Sequence, residues 1–340
     1  MAAKVTIADV ARRAGVSTAT VSRALKQPDR VSEATRERVQ AAIDAVDYVP
    51  NSLGRNLRTQ RTGTVVLVVR DIGNPFYLEI FRGVEAAARE RGLSVLMGHT
   101  ENDAERERWY FDMVRERRAD GLILMTGKLP PGFRVTARST RVPIVVALEY
   151  LEDVRLPTVR IDNVAAAREA TAYLAGLGHR RIAHVSGPTP ELMSRDRLDG
   201  YRAGLADAGL AGDEALIVRG DYSMAAGREA TARLLALEPP PTAVFCANDE
   251  MAMGVIAAAR EAGVEVPAGL SVVGFDDIVF ARNFSPPLTT VAQPRQEIGQ
   301  RALELLAAQL AGEPVGVADE VMPTRIVPRA STAELVTSKT

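Results

Sequence analysis

One cysteine, Cys246, stands in 340 residues, which excludes a disulfide framework and a cysteine-based zinc cluster. Histidine is nearly as scarce: His99, His179 and His184 are scattered without ligand spacing, so no His-rich metal site is expected. No apolar run reaches the ~18 residues a membrane span needs. The opening stretch, M-A-A-K-V-T-I-A-D-V-A-R-R-A-G, has no apolar core of export-signal length, so a cytoplasmic protein is expected. Surplus charge is missing too. The 42 Lys and Arg face 43 Asp and Glu, a formal net charge of −1 that, taken as an average, speaks against nucleic-acid binding. What is present is ordinary for a folded chain: 46% hydrophobic and 25% charged residues, in a length that suits two or three domains.

Catalytic signatures are also lacking. The first strand pattern runs into R-D-I-G-N-P-F with no G-x-G-x-x-G, and Gly176-Leu177-Gly178 lacks a third glycine and follows a helix. No phosphate-binding G-x-x-x-x-G-K-[ST] or G-x-S-x-G elbow occurs. Cys246 sits in an apolar strand pattern and reads as a small core residue, and Trp109 reads as a packing or interface aromatic. The expectation is no catalytic residues, no cofactor and no metal.

The charge average conceals unlike parts. Residues 1–61 hold eleven Lys and Arg against six Asp and Glu, a surplus of +5 that leaves −6 on the other 279 residues. A small basic module on an acidic body fits this asymmetry, as does chance fluctuation in a short segment. The local pattern is more informative. Thr6 with Asp9 three residues on resembles a capping box and starts a helix at Ile7; Gly15 stops it. Ser17 caps a second helix, Thr18–Leu25, with Val21, Ala24 and Leu25 inward. Ser32 caps a third, Glu33–Val46, with Val39, Ile43 and Val46 on one face. Two short helices joined by a glycine turn, then a supporting helix, spell a helix-turn-helix. The outer face of the second helix carries Ser17, Thr18, Ala19, Thr20, Ser22 and Arg23. Small hydroxyl side chains allow close approach to base edges, and Arg23 can reach guanine or a phosphate. The same face would also suit an ordinary solvated helix.

Wording separates the two. T-I-A-D-V-A-R-R-A-G-V-S-T-A-T-V-S-R-A-L, V-S-E-A-T-R-E-R-V and Y-V-P-N-S-L-G-R-N-L resemble the lac/gal repressor family of bacterial transcriptional regulators. The resemblance implies that Val16–Leu25 is the recognition helix, with Thr18, Ala19 and Arg23 reading bases. It makes residues 51–58 a hinge helix whose Leu57 wedges into the minor groove. Thr6, Asn51 and Arg58 complete the implied set of DNA contacts.

From Thr64 the pattern alternates strands and helices. Val65–Val69 is a continuous apolar run, as in a buried parallel strand. Helix 77–91, strand 94–97, helix 103–117 and strands 121–125 and 144–147 follow. A second cycle runs through helix 163–177, strand 181–185, helix 195–208, strand 215–218, helix 224–236, strand 243–245, helix 248–261 and strand 271–274. Helix 296–310 follows. Two doubly wound subdomains are expected, with a ligand cleft near the strand carboxyl ends.

D-x-x-N-P-F-Y, V-R-I-D-N, R-L-D-G-Y, P-P-T-A-V-F-C-A-N-D and V-G-F-D-D-I continue the family resemblance through this body. It implies a periplasmic-binding-protein-like α/β core behind an all-α helix-turn-helix head. The implied domains are 1–50 for the head, 51–61 for the hinge and linker, and 62–340 for the effector-binding and dimerisation core. Within the core, 62–162 plus 293–322 form one subdomain and 163–292 plus 323–340 the other. The resemblance places Asp71, Phe76, Tyr77, Arg197, Tyr222, Asn248 and Asp276 in the effector cleft. Arg197, Asn248 and Asp276 suit vicinal hydroxyls, and the three aromatics suit a base or an apolar sugar face. Phe76 and Tyr77 would equally serve as helix-start core residues, and Asp276 as a turn cap before Ile278. The expected protein is a homodimeric repressor of a near-palindromic operator, released by a cytidine-like nucleoside. A pentose or other monosaccharide is the alternative effector, and a solute-binding protein without DNA function the alternative class. Helix 79–91 is the expected dimer contact, and no leucine-heptad tail follows residue 330.

Overall fold

The computed structural model describes residues 5–49, 61–130, 142–152 and 154–335. Two compact units emerge, residues 1–61 and 62–340. In the first, α1 (Ile7–Ala14), α2 (Thr18–Lys26) and α3 (Glu33–Val46) enclose a core of Val10, Ala11, Ala14, Val21, Ala24, Val39 and Ala42. Asp9 closes the start of α1 by accepting from the Thr6 backbone N–H (3.0 Å) and hydroxyl (2.7 Å). Gly15 ends that helix at φ 64°, a left-handed conformation in which a side chain is strained. Arg38 of α3 donates to the Ala14 carbonyl at 2.5 Å, tying the supporting helix to the turn.

The second unit contains two six-stranded sheets. The first has the order β11-β5-β4-β3-β1-β2 and is wholly parallel: β1 (Thr64–Val69), β2 (Ser94–His99), β3 (Gly121–Leu124), β4 (Ile144–Leu148), β5 (Thr158–Ile161) and β11 (Asp319–Met322). The second has the order β12-β10-β9-β8-β6-β7: β6 (Ile182–Ser186), β7 (Ile217–Arg219), β8 (Ala243–Cys246), β9 (Ser271–Asp276), β10 (Thr289–Ala292) and β12 (Arg325–Val327). Among the described strands only β12 runs antiparallel to its neighbour. The chain therefore passes between the sheets three times. Continuous apolar runs are the cause of the parallel arrangement: helices cover both faces, and β3, β4, β6, β8 and β9 are buried along their whole length.

On the first sheet lie α4 (Phe76–Glu90), α5 (Ala104–Arg115) and α10 (Arg295–Ala311); on the second lie α6 (Asn163–Gly176), α7 (Leu192–Asp207), α8 (Met224–Leu235) and α9 (Asp249–Glu261). Three expectations shift. The helix expected from 195 begins at Leu192, and the strand expected over 215–218 is shortened to Ile217–Arg219 behind a 3₁₀ turn, Glu214–Leu216. Strands β5, β10, β11 and β12 had no counterpart in the strand pattern. Among the described residues no helix is long and apolar enough to cross a membrane.

Helices α4 and α10 approach so closely that a Cβ on Gly299 would fall on the Ile80 carbonyl, and one on Gly83 on the Gln296 carbonyl. Backbone cannot yield as a flexible side chain can. Gly299→Ala should cost about 1–3 kcal/mol by overpacking. A calorimetric melt should show the transition lowered by about 2–4 °C for each kcal/mol.

Candidate functional site

Sequence residues expected to read DNA divide according to the packing of α2. Val21 and Ala24 are buried, which turns Ser17, Thr18, Ala19 and Arg23 to solvent and leaves Thr20 and Ser22 half-buried. Ser17 is also the cap: its hydroxyl accepts from the Thr20 N–H at 3.1 Å and meets the Thr20 hydroxyl at 2.9 Å. Thr6 is exposed at the start of α1. Asn51, Leu57 and Arg58, with the expected hinge, lie outside the described residues.

The second unit holds a cavity of about 200 Å³ at the carboxyl ends of both sheets. Strand order reverses beside β1 in one sheet and beside β6 in the other, and loops leaving a sheet at such a point diverge and open a crevice. Asp71, Phe76, Tyr77, Arg197, Tyr222, Asn248 and Asp276 all line this one cavity. Phe76 and Tyr77 are buried at the start of α4 with edge-to-face rings 5.2 Å apart, so they serve the core and the cavity wall together.

Arg197 is 3% exposed and mostly engaged by protein. Its Nε donates to Asn163 Oδ1 at 2.9 Å, one Nη donates to the Ala247 carbonyl, and the guanidinium stacks 3.8 Å over Phe275. The remaining Nη lies 3.8 Å from Asp276, whose Oδ1 accepts from Gln293 Nε2 at 2.7 Å. A guanidinium donor beside a carboxylate acceptor suits adjacent hydroxyl groups. Asp276 does not cap the turn before Ile278; Asp249 does, accepting from the Ile278 N–H at 2.8 Å.

Asn248, expected to meet ligand hydroxyls, is engaged by the protein through both atoms of its amide. Its Oδ1 caps α9 through Met251 N–H (3.0 Å), and its Nδ2 donates to the Tyr222 carbonyl (2.9 Å). Tyr222 sits at φ 73°, a conformation costly for a non-glycine residue, and this contact holds it in the cavity wall. Its hydroxyl meets Ser194 Oγ at 2.7 Å, in space that a Cβ on Gly187 would occupy.

Arg70, immediately after β1, bridges the two halves. One Nη donates to Glu149 after β4 in the same lobe, and the other donates to Glu191, which precedes α7 in the opposite lobe. Burial works against the Arg70 charge, but Tyr77, Glu191 and Tyr222 outweigh it and hold its pKa above the ordinary value. The carboxyls are raised instead. Burial, with a smaller contribution from Asp276 and Asp71, pushes Glu250 up to about 7. Burial pushes Asp276 up to about 6, despite the opposing Arg197 and Arg295 charges. Among the described residues no cluster of His, Cys, Asp or Glu could hold a metal ion.

Comparison with known proteins identifies this pairing of head and cleft. Residues 6–51 match the pattern of bacterial regulatory proteins, lacI family, and residues 171–332 match the periplasmic binding protein-like domain. The HTH-type transcriptional repressor CytR of Escherichia coli strain K12 is 42% identical over 330 residues, 97% of each chain. The chain belongs to the lacI family. The ribose operon repressor of the same strain is 38% identical over 302 residues, covering 88% of this chain and 92% of that one. The lac repressor dimer bound to operator and the anti-inducer ONPF superposes with a TM-score of 0.85 at 29% identity, over 97% of this chain and all of that one. The regulator CelR in complex with cellobiose gives 0.71 at 33% identity, over 96% and 99%. This lacI-family chain is thus a ligand-responsive DNA-binding transcription regulator and not an enzyme, which also sets aside a solute-binding protein without DNA function.

In this lacI-family core, sequence reasoning missed Arg70, Glu191, Asp221 and Glu250 among the residues lining the cavity. Arg70 carried a signal, the first charge after an apolar strand run. Glu191 was hidden by the late helix start.

The raised carboxyls set a pH dependence. At these two groups the folded state holds more protons than the unfolded one between about pH 4 and 7, so their contribution to stability falls as pH rises through that window. Glu250→Gln removes one of these groups. Relative to the wild type, its melting temperature should rise between about pH 5 and pH 8.

Proposed function

We propose that this regulator is a cytoplasmic homodimeric repressor of a near-palindromic operator, and that a neutral nucleoside of the cytidine kind binds between its lobes and releases it. In this reading residues 1–50 read DNA, 51–61 form the hinge, and 62–340 form the effector and dimer core. Thr6, Ser17, Thr18, Ala19, Thr20, Ser22 and Arg23 contact the operator with Asn51, Leu57 and Arg58. The observation that carries the effector reading is the convergence of three aromatic side chains with the Arg197–Asp276 pair in one small cavity. Rings suit stacking on a base, and the ion pair suits the ribose hydroxyls. The cavity volume, below the roughly 300–1,000 Å³ of pockets for drug-sized ligands, fits an occupant of this scale. A plain pentose is the second reading, favoured by the same small volume. Exposed Leu78 on α4, the helix expected to supply the dimer contact, and Leu96 on the neighbouring edge strand β2 offer apolar surface for it.

Two measurements test this. Thermal shift with cytidine, adenosine and ribose should show cytidine stabilising the protein, by about 2.7 kcal/mol at 100 times its Kd. A shift with ribose alone replaces the nucleoside by the pentose. Selection from random duplexes should yield a near-palindromic site that the full chain binds. Removing residues 1–61 should abolish that binding and preserve the thermal shift. Arg23→Ala should cost about 1–3 kcal/mol of discrimination at one base position, whereas loss of a phosphate contact should chiefly lower the salt dependence.

A further inference from the structure

The cavity carries more negative than positive groups: Asp71, Glu191, Asp221, Glu250 and Asp276 line it against Arg70 and Arg197. Both arginines are largely engaged. Arg197 is held by Asn163, Ala247 and Phe275, and both terminal nitrogens of Arg70 are held by carboxylates. Arg70 is 7% exposed, yet its Nε is buried with no hydrogen-bond partner. A buried N–H without an acceptor is costly, and most such groups in native proteins are matched by something. Here the side chain lines the cavity with both terminal nitrogens already taken by carboxylates, so no guanidinium fork is left for an anion.

We propose that Arg70 is a specificity-determining residue of the cleft: clamped between Glu149 and Glu191, it has no free guanidinium fork to hold an anion, so the cleft accepts neutral hydroxyl-rich ligands and rejects phosphorylated ones. This rests on the reading of the cleft as the effector site. Glu191 is the excluding group. It neutralises the arginine and presents a negative wall to any anion, while Asp71, Asp221, Glu250 and Asp276 accept from ligand hydroxyls. Because Glu191 comes from the opposite lobe, the selective geometry exists only when the lobes are arranged as here.

The test is calorimetric melting of the full chain with inorganic phosphate, cytidine or ribose. Glu191→Gln keeps an acceptor for Arg70 but removes the charge, so phosphate should stabilise this variant and not the wild type. Any stabilisation by solute exclusion or by contact with the basic head is common to both and cancels. Arg70→Lys keeps a positive charge between the two carboxylates and lacks the guanidinium fork. It should weaken whichever neutral compound stabilises the wild type by about tenfold or more. Melting without ligand reports whether each variant folds, and if Glu191→Gln does not, Arg70→Lys decides alone. An equal response of wild type and Glu191→Gln to phosphate, or unchanged affinity in Arg70→Lys, overturns the proposal. If neither cytidine nor ribose moves the wild type while phosphate moves Glu191→Gln, the nucleoside and pentose readings fail and the assignment of Arg70 stands.

Discussion

A strand covered by helices on both faces cannot keep a charge along its length, because burying an ion without partners costs several kcal/mol. That constraint shapes the body of this protein. Val65–Val69 run without a polar side chain, and Arg70 and Asp71 follow at once; Ile144–Leu148 end at Glu149; Ala243–Cys246 lead to Asn248; β9 ends on Asp276. Charge is thus driven to the carboxyl ends of two sheets, and there it meets the charge of the other sheet. The cavity is built where the two sets face each other, so fold and site have one cause.

Charged groups brought together in this way must satisfy one another, and the first turns of α7 do much of that work. Glu191 takes Arg70 from the other lobe. Arg195 donates to Tyr150 (3.0 Å) and Glu152 (2.8 Å), and Tyr150 donates to Asp196 at 3.2 Å. The same stretch carries Ser194, which holds Tyr222, and Arg197, which faces Asp276. Groups that join the lobes and groups that shape the cavity therefore share one rigid helical segment. An occupant that moves Arg197 or Tyr222 acts on the element that also sets the lobe arrangement, which gives differential affinity for two arrangements a physical route.

Much of this was legible in the sequence because it follows from local rules. Thr6, Ser17 and Gly15 marked the head helices through cap chemistry, and unbroken apolar runs marked the buried strands. Family-like motifs at strand ends brought seven residues to one cavity. What escaped depends on partners far along the chain. Strand β11 has only alternating half-exposed residues and is secured by pairing with β5, where Arg160 grips Asp319 across 159 positions. The first turn of helix α7 is engaged from the opposite lobe, by Arg70 at Glu191 and by Tyr150 and Glu152 at Arg195, and no neighbour in sequence announces that. Family resemblance placed Asn248 in the cleft; its role in holding the left-handed Tyr222 needed the fold.

Charge divides the labour between the two units. The head, at +5, is suited to a polyanion, while the body carries −6 and concentrates carboxyls around its cavity. A neutral effector leaves both sums unchanged on binding. It cannot weaken the hold on DNA by adding charge, and fields from exposed groups are screened within about 8–10 Å in physiological salt. For the neutral effector proposed above, control would therefore pass through the arrangement of the lobes, with the effector favouring one arrangement by its contacts. A differential affinity of about 10–100-fold, roughly 1.4–2.8 kcal/mol, is within reach of a few buried hydrogen bonds made in one arrangement and broken in the other.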